Sequence, residues 1–183
     1  KLSSIPIYGI LPNNKTKKAA KLIDESYRAI RTNLQFLPRH SKSQIISITS
    51  SVSGEGKTTI SANLAKIIAQ ADKKVIVLDF DLRKSSLHKE FGLNNTIGIS
   101  NYLTEQNTLE EVTNHIKDTN VDVITTGTIP PNPSELILTD KMKDFVEILK
   151  SKYDYVIFDT PPVGLVTDAL ILMNYSDIVF VVA

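Results

Sequence analysis

The sequence predicts an α/β fold, a parallel sheet with helices on both faces, and two observations predict it. Short β-branched runs alternate with helical patterns along most of the chain. One run, "KVIVLD" (74–79), is almost wholly apolar, as a parallel strand covered on both faces should be. The alternation of strand and helix requires crossover connections, and these are right-handed in parallel sheets.

In chain order, "IPIYGILPNNKTKKAAK" (5–21) is an arm punctuated by Pro and Asn. Its Lys15, Lys17, Lys18 and Lys21 form either a solvated face or a segment near an anionic membrane surface. Residues 21–37, "KLIDESYRAIRTNLQFL", have helical spacing through Leu22, Tyr27, Ile30, Leu34 and Leu37, and Pro38 ends the run. Glu25, Arg28 and Arg31 fall three apart on one polar face, either as an intrahelical ion pair or as a contact to a neighbouring subunit.

Next come a strand "QIISITS" (44–50), a helix "TTISANLAKIIAQA" (58–71) and the strand 74–79. A helix is expected within 98–117, with Thr108 and Glu111 as its capping box. "VDVITTG" (121–127) is a strand and "TIPPNPSE" (128–135) a Pro-rich loop. "TDKMKDFVEILKSK" (139–152) is an amphipathic helix, "YDYVIFD" (153–159) a strand, "TDALILMNYS" (167–176) a helix and "DIVFVVA" (177–183) a last strand.

The 183 residues suit one domain of moderate size, and 42% apolar with 22% charged residues allow a core and a solvated surface. A formal charge of +1 gives no general attraction to nucleic acid. The absence of cysteine excludes disulfides, thiolate zinc sites and a thiol nucleophile, and fits a reducing compartment. No apolar run reaches the roughly 20 residues of a spanning helix, and no signal peptide opens the chain. Without an initiator Met, and with its end inside a strand, the sequence reads as a piece of a longer protein.

"SVSGEGKT" (51–58) fits a phosphate-binding P-loop except that Ser51 stands in the usual first Gly position. It lies between a strand and a helix, the context this motif requires. Gly54 and Gly56 let backbone N–H groups turn inward, Lys57 reaches the β- and γ-phosphates, and the Thr58 hydroxyl meets Mg²⁺. Ser53, Gly54, Glu55, Gly56, Lys57, Thr58 and Thr59 are the candidate nucleotide contacts. The fold class is thus a P-loop NTPase-type sheet.

Three aspartates end strands on the edge that carries this loop. Asp79 and Asp81 come from "VIVLDFDLR" and Asp159 from "YVIFDTPP". A carboxylate at the end of an apolar strand is a rigid hard-oxygen ligand for Mg²⁺. Asp159 and Asp81, with Thr58, are the candidate metal ligands, and Asp79 the group that orients or deprotonates the nucleophile. The roles of Asp79 and Asp81 are interchangeable at this level. Lys57, Asp79, Asp81, Arg83 and Asp159 form the candidate catalytic set.

These passages resemble the cytoplasmic kinase domain of the bacterial tyrosine kinases that regulate capsule and exopolysaccharide export. "SGEGKTT" is similar to the family's Walker A, "VIVLDFDLRK" to its Walker A′ and "VIFDTPP" to its Walker B. "ESYRAIRTNLQF" resembles its Glu/Arg helix and "GTIPPNPSELI" a further family segment. The resemblance implies an ATP- and Mg²⁺-dependent protein-tyrosine autokinase. It implies a ring oligomer held through Glu25, Arg28 and Arg31, each subunit phosphorylating its neighbour's C-terminal tyrosine cluster.

It further implies a membrane-spanning co-polymerase region on the same or a partner chain, a cognate tyrosine phosphatase and no nucleic acid. The location implied is the cytoplasmic face of the bacterial inner membrane. The chain would divide into an arm with the oligomerisation helix (1–40) and a kinase core (41–183). One departure stands out: Tyr8, Tyr27, Tyr102, Tyr153, Tyr155 and Tyr175 are scattered rather than clustered at the end, and Tyr153 and Tyr155 read as structural. The alternatives are a partition- or division-type switch ATPase and a nucleotide-gated assembly module. The first is disfavoured because Val52 stands where those ATPases carry a second lysine.

Overall fold

The computed structural model describes residues 7, 9–11, 17–37 and 42–183, with side chains in the first helix described from Lys21 onward. Tyr8, Lys15 and Pro38 lie outside the described residues. The chain forms two compact units, residues 1–39 and 40–183.

The first unit contains α1 (Lys17–Gln35). Tyr27, Ile30 and Leu34, spaced three and four apart, are buried, whereas Leu22 is exposed. The apolar face is therefore shorter than its periodicity predicts. Glu25 and Arg28 are exposed and Arg31 is half-buried.

The second unit is built on six strands: β1 (Gln44–Ser50), β2 (Val75–Asp79), β3 (Asn114–His115), β4 (Val121–Ile124), β5 (Tyr155–Asp159) and β6 (Ile178–Val182). Their order is β3-β4-β2-β5-β1-β6, and every pairing is parallel except β3 with β4. Every residue of β1, β2 and β5 is buried. Side chains alternate along a strand, so burial at every position means that both sheet faces are covered. Ile76, Leu78, Val156 and Phe158 belong to a core with Met142, Phe145 and Leu149 of α7 (Asp140–Lys152). The alternate positions, such as Val77 and Ile157, point to the opposite face. There α2 (Lys57–Ala69), whose Leu64, Ala65 and Ile68 are buried, packs on β1, β2 and β5.

The structure refines two expectations and adds one helix. Residues 98–117 form two short helices, α4 (Ile99–Leu103) and α5 (Leu109–Val112), and then the antiparallel edge strand β3. Residues 128–135 are not wholly loop, because α6 (Pro133–Leu136) begins there with Pro at its first position. A further helix, α3 (Leu87–Phe91), follows the second strand. The last helix is α8 (Asp168–Met173). The expected capping box is present: the Thr108 hydroxyl accepts from the Glu111 N–H, and Glu111 accepts from the Thr108 N–H.

Gly98 leads into α4 where two backbones meet. A β-carbon there would lie 2.1 Å from the Thr125 carbonyl oxygen and 2.5 Å from the Gly127 nitrogen. Backbone atoms cannot yield as a side chain does, so Gly98→Ala is expected to cost about 1–3 kcal/mol. The thermal midpoint should fall by roughly 3–10 °C, measured by circular dichroism. An unchanged midpoint would show that the two segments are not in contact.

Candidate active site

β1 ends at Ser50 and the chain turns through 51–56 before α2 begins. Gly54 and Gly56 hold φ of 95° and 90°, values that strain any residue with a β-carbon. Gly56 is the N-cap of α2 and supplies no side-chain acceptor. The first N–H groups of the helix, with the positive end of its dipole, thus face an incoming anion. The Glu55 carboxylate braces the loop from within. Its Oε2 accepts the N–H of Ser51 at 2.9 Å and of Val52 at 3.1 Å. Ser53 is exposed, and the Thr59 hydroxyl donates to Glu90 of α3 at 2.7 Å. Only the backbones of Glu55 and Thr59 are therefore left for phosphate contact.

Lys57 and Thr58, on the first turn of α2, are both buried. Lys57 Nζ donates to Asp81 Oδ2 at 3.0 Å and lies 4.0 Å from Asp159 Oδ1. One turn on, the Ser61 hydroxyl donates to Asp159 Oδ1 at 3.3 Å. The Thr58 hydroxyl lies 3.1 Å from the Ser86 hydroxyl. Asp159 Oδ2 is fully buried and has no hydrogen-bond partner among the described residues.

Asp79 and Asp159 sit in register on adjacent strands. Asp79 is nonetheless saturated. Its Oδ1 accepts the Asp81 N–H at 3.2 Å. Its Oδ2 accepts the Ser85 hydroxyl at 2.8 Å and the N–H groups of Ser86 and Leu87 at 3.2 and 3.0 Å. Asp79 and Asp81 do differ in partners.

Arg83 is not among the groups around Lys57. Its Nη2 donates to the Ser134 hydroxyl at 3.2 Å and to Asp168 Oδ2 at 3.4 Å. Sequence reasoning missed Ser61, Ser85, Ser134 and Asp168. Ser61 was legible as the residue one helical turn beyond Lys57. Ser134 and Asp168 carry no local signal beyond helix starts.

If all three buried carboxylates were ionised, they would outnumber the one buried ammonium by two charges. Burial pushes the Asp79 carboxyl above its usual range. Burial likewise pushes Asp159 up to about 7; the Lys57 ammonium pulls it back and the neighbouring Asp79 adds to the rise. A divalent cation fits this surplus, and Asp159 Oδ2 and the Thr58 hydroxyl are the hard oxygens to receive it. No group of three or more His, Asp or Glu able to hold a metal ion is present among the described residues.

A surface depression of about 460 Å³ lies at the opposite, amino end of the strands, lined by Lys74, His115, Asp122 and Tyr153 among others. There the Tyr153 hydroxyl donates to Asp122 at 2.6 Å, and burial with this bond holds the phenol well above its ordinary pKa. Tyr155 is buried within β5. Both tyrosines are structural, as expected.

The loop, the helix behind it and the strand-end aspartates define a P-loop nucleotide-binding domain. Residues 43–183 match the family described as AAA domain. The chain is 44% identical over 156 residues to tyrosine-protein kinase YwqD of Bacillus subtilis (strain 168), covering 85% of this chain and 66% of that protein. It is 41% identical over 164 residues to tyrosine-protein kinase CpsD of Streptococcus agalactiae, covering 87% and 68%. The solved kinase domain of Escherichia coli tyrosine kinase ETK superposes with a TM-score of 0.85 at 38% identity, over 94% of this chain and 69% of that one. The septum site-determining protein MinD of Pyrococcus horikoshii, solved with Mg-ADP, gives 0.65 at 28% identity, over 77% and 58%. The chain belongs to the AAA-domain family and, within it, to the bacterial tyrosine-protein kinases. It spans 66% of the length of YwqD and 20% of the full E. coli etk chain.

The raised Asp159 has a consequence for stability. With a folded-state pKa near 7 against an ordinary 3.8, the folded protein keeps a proton that the unfolded chain has lost between about pH 4 and 7. This contribution to stability therefore declines as pH rises through that window. Thermal unfolding without added metal is expected to show Asp159→Asn more stable than the parent at pH 8, on the order of a few kcal/mol. The gap should narrow as pH falls toward 4. A gap that does not change with pH would show that Asp159 titrates normally.

Proposed function

We propose that this chain is the catalytic core of an ATP- and Mg²⁺-dependent protein-tyrosine autokinase. The observation that carries the reading is the buried contact between the phosphate-loop lysine and a second acidic residue, Lys57 to Asp81 at 3.0 Å, beside Asp159. Family membership supports it, and the Mg-ADP carried by the MinD structure supports the choice of nucleotide and metal.

The residues act as follows. The N–H groups at the start of α2 and the loop backbone from Ser53 to Thr59 bind the phosphates. Lys57 moves from Asp81 to a phosphate oxygen, which releases Asp81. Thr58, Asp81 and Asp159 would hold Mg²⁺. The ion would neutralise charge on the transferring phosphoryl group. The acceptor phenol oxygen forms its bond to the γ-phosphorus as the bond to the ADP oxygen breaks, and the phenol proton passes to Asp79. Asp79 must first exchange part of its four-bond set for the phenol, and its raised pKa favours receiving that proton.

We place the acceptor tyrosine outside these 183 residues, because Tyr27, Tyr102 and Tyr155 are buried, Tyr153 is engaged with Asp122 and Tyr175 packs against the core, while Tyr8 lies outside the described residues. We further propose that residues 1–40 form the arm and oligomerisation segment, in which Glu25, Arg28 and Arg31 meet a neighbouring subunit in a ring. Phosphorylation then occurs in trans on a C-terminal tyrosine cluster. The exposure of Glu25 and Arg28 supports this. The setting is the cytoplasmic face of a bacterial inner membrane, with a membrane-spanning co-polymerase region and a tyrosine phosphatase as partners. The process is the regulation of polysaccharide synthesis and export.

Incubation with ATP, Mg²⁺ and a synthetic tyrosine-rich peptide is expected to yield phosphotyrosine, lost at least about 100-fold in Lys57→Met and in Asp79→Asn. Phosphate release without phosphotyrosine would replace the reading with a switch ATPase. ATP binding with neither product would point to an assembly module. Arg28→Ala combined with Arg31→Ala is expected to shift a ring to monomer in light scattering, and more completely at high salt. A mass unaffected by both changes would show that the Glu/Arg face is only solvated.

A further inference from the structure

We infer that Asp168 is a positioning residue for Arg83, and that the two, joined through Ser134, clamp the acceptor side of the site. The inference rests on the kinase reading.

Three loops supply the clamp. Arg83 follows β2, Ser134 lies in α6 beyond β4, and Asp168 opens α8 beyond β5. β4, β2 and β5 are consecutive in the sheet, so these loops are neighbours on its carboxyl edge. The phosphate loop, beyond β1, takes no part. Asp168 Oδ1 accepts the Ser134 hydroxyl at 2.5 Å and Oδ2 accepts Arg83 Nη2 at 3.4 Å. The same Nη2 donates to Ser134 at 3.2 Å, which closes a three-membered ring of contacts.

The burial is graded. The Asp168 side chain is 5% exposed, whereas that of Arg83 is 48% exposed. A carboxylate taken out of water costs free energy unless it is paired. Here its partners are a hydroxyl and a cation from two other loops, 34 and 85 residues away in sequence. One nitrogen of the guanidinium is held from the buried side, and the remaining donors stay at the surface. A planar cation fixed in this way presents a directional face to an anion at low entropic cost.

The division of labour follows from position. Phosphate contacts come from the β1 loop and α2. Arg83 stands two residues beyond Asp81, bonded to Ser134 beyond β4 and Asp168 beyond β5 rather than to the groups around Lys57. Its free face therefore addresses the acceptor polypeptide. Through Ser134 the same carboxylate sets the 128–136 segment, so one buried group fixes two walls of the acceptor side.

The test uses the whole chain with ATP, Mg²⁺ and a synthetic tyrosine-rich peptide. Asp168→Asn is expected to raise the KM for the peptide about tenfold while the KM for ATP stays within about twofold. Arg83→Ala should do the same, and the double variant Arg83→Ala with Asp168→Asn should be no worse than Arg83→Ala alone. Ser134→Ala gives a smaller change of the same kind and serves if Asp168→Asn does not fold. Amide hydrogen exchange on the same proteins should speed up at 80–87 and 128–136 together, with α2 unchanged. Independent, multiplying effects of Arg83 and Asp168 would overturn the clamp. So would unchanged exchange at 80–87 in Asp168→Asn. A parent chain that makes no phosphotyrosine would instead defeat the kinase reading, and the exchange measurement would still decide whether Asp168 holds Arg83.

Discussion

The structure depends on a charge imbalance buried at one edge of a parallel sheet. Asp79, Asp81 and Asp159 converge there with Lys57 as the only ammonium in contact with them among the described residues. Register creates half of this imbalance, because β2 and β5 pair so that Asp79 lies beside Asp159. The helix supplies the rest. α2 starts where its first residue, Lys57, reaches over both strand ends. Such a cluster persists only because the strands beneath it are rigid. Phe80 and Phe158, edge to face with ring centroids 4.8 Å apart, belong to the same core directly under the aspartates.

The two carboxylates in register have opposite fates, and their neighbours decide which. Asp79 is enclosed by the turn at 85–87 and accepts four hydrogen bonds, so it holds the loop that carries Asp81 and Arg83. Asp159 receives the Ser61 hydroxyl on one oxygen and retains one unsatisfied oxygen in the interior. An unsatisfied buried acceptor is costly, and a divalent cation bound there would remove that cost together with the charge surplus. In the proposed reaction the same difference separates the ligand from the proton acceptor.

A second polar network lies alongside, where Asp168 gathers Ser134 and Arg83. It involves the loops of β4, β2 and β5, whereas the phosphate-binding elements follow β1. The edge is thereby divided into two sectors that share the strand ends of β2 and β5. The proposed donor and acceptor sides correspond to these sectors.

Much of this was legible in the sequence, for a physical reason in each case. The principal apolar and helical stretches are locally determined, because burial on both faces demands unbroken β-branched runs and a P-loop demands strand, glycines and helix in order. The Thr108–Glu111 capping box was legible for the same reason: both partners lie within one turn. Local pattern failed where stability comes from distant contacts. Residues 98–117 break into two short helices and an edge strand because the 98–101 segment bonds to the 125–128 backbone. The strand-end positions of Asp79, Asp81 and Asp159 were readable, but which of them is saturated and which is not was not readable. That depends on hydrogen-bond donors six to eight residues on for Asp79 and on α2 for Asp159. The Arg83–Ser134–Asp168 contact is wholly a product of tertiary structure. Its members are separated by 34 to 85 positions and meet only because the sheet places β4, β2 and β5 side by side.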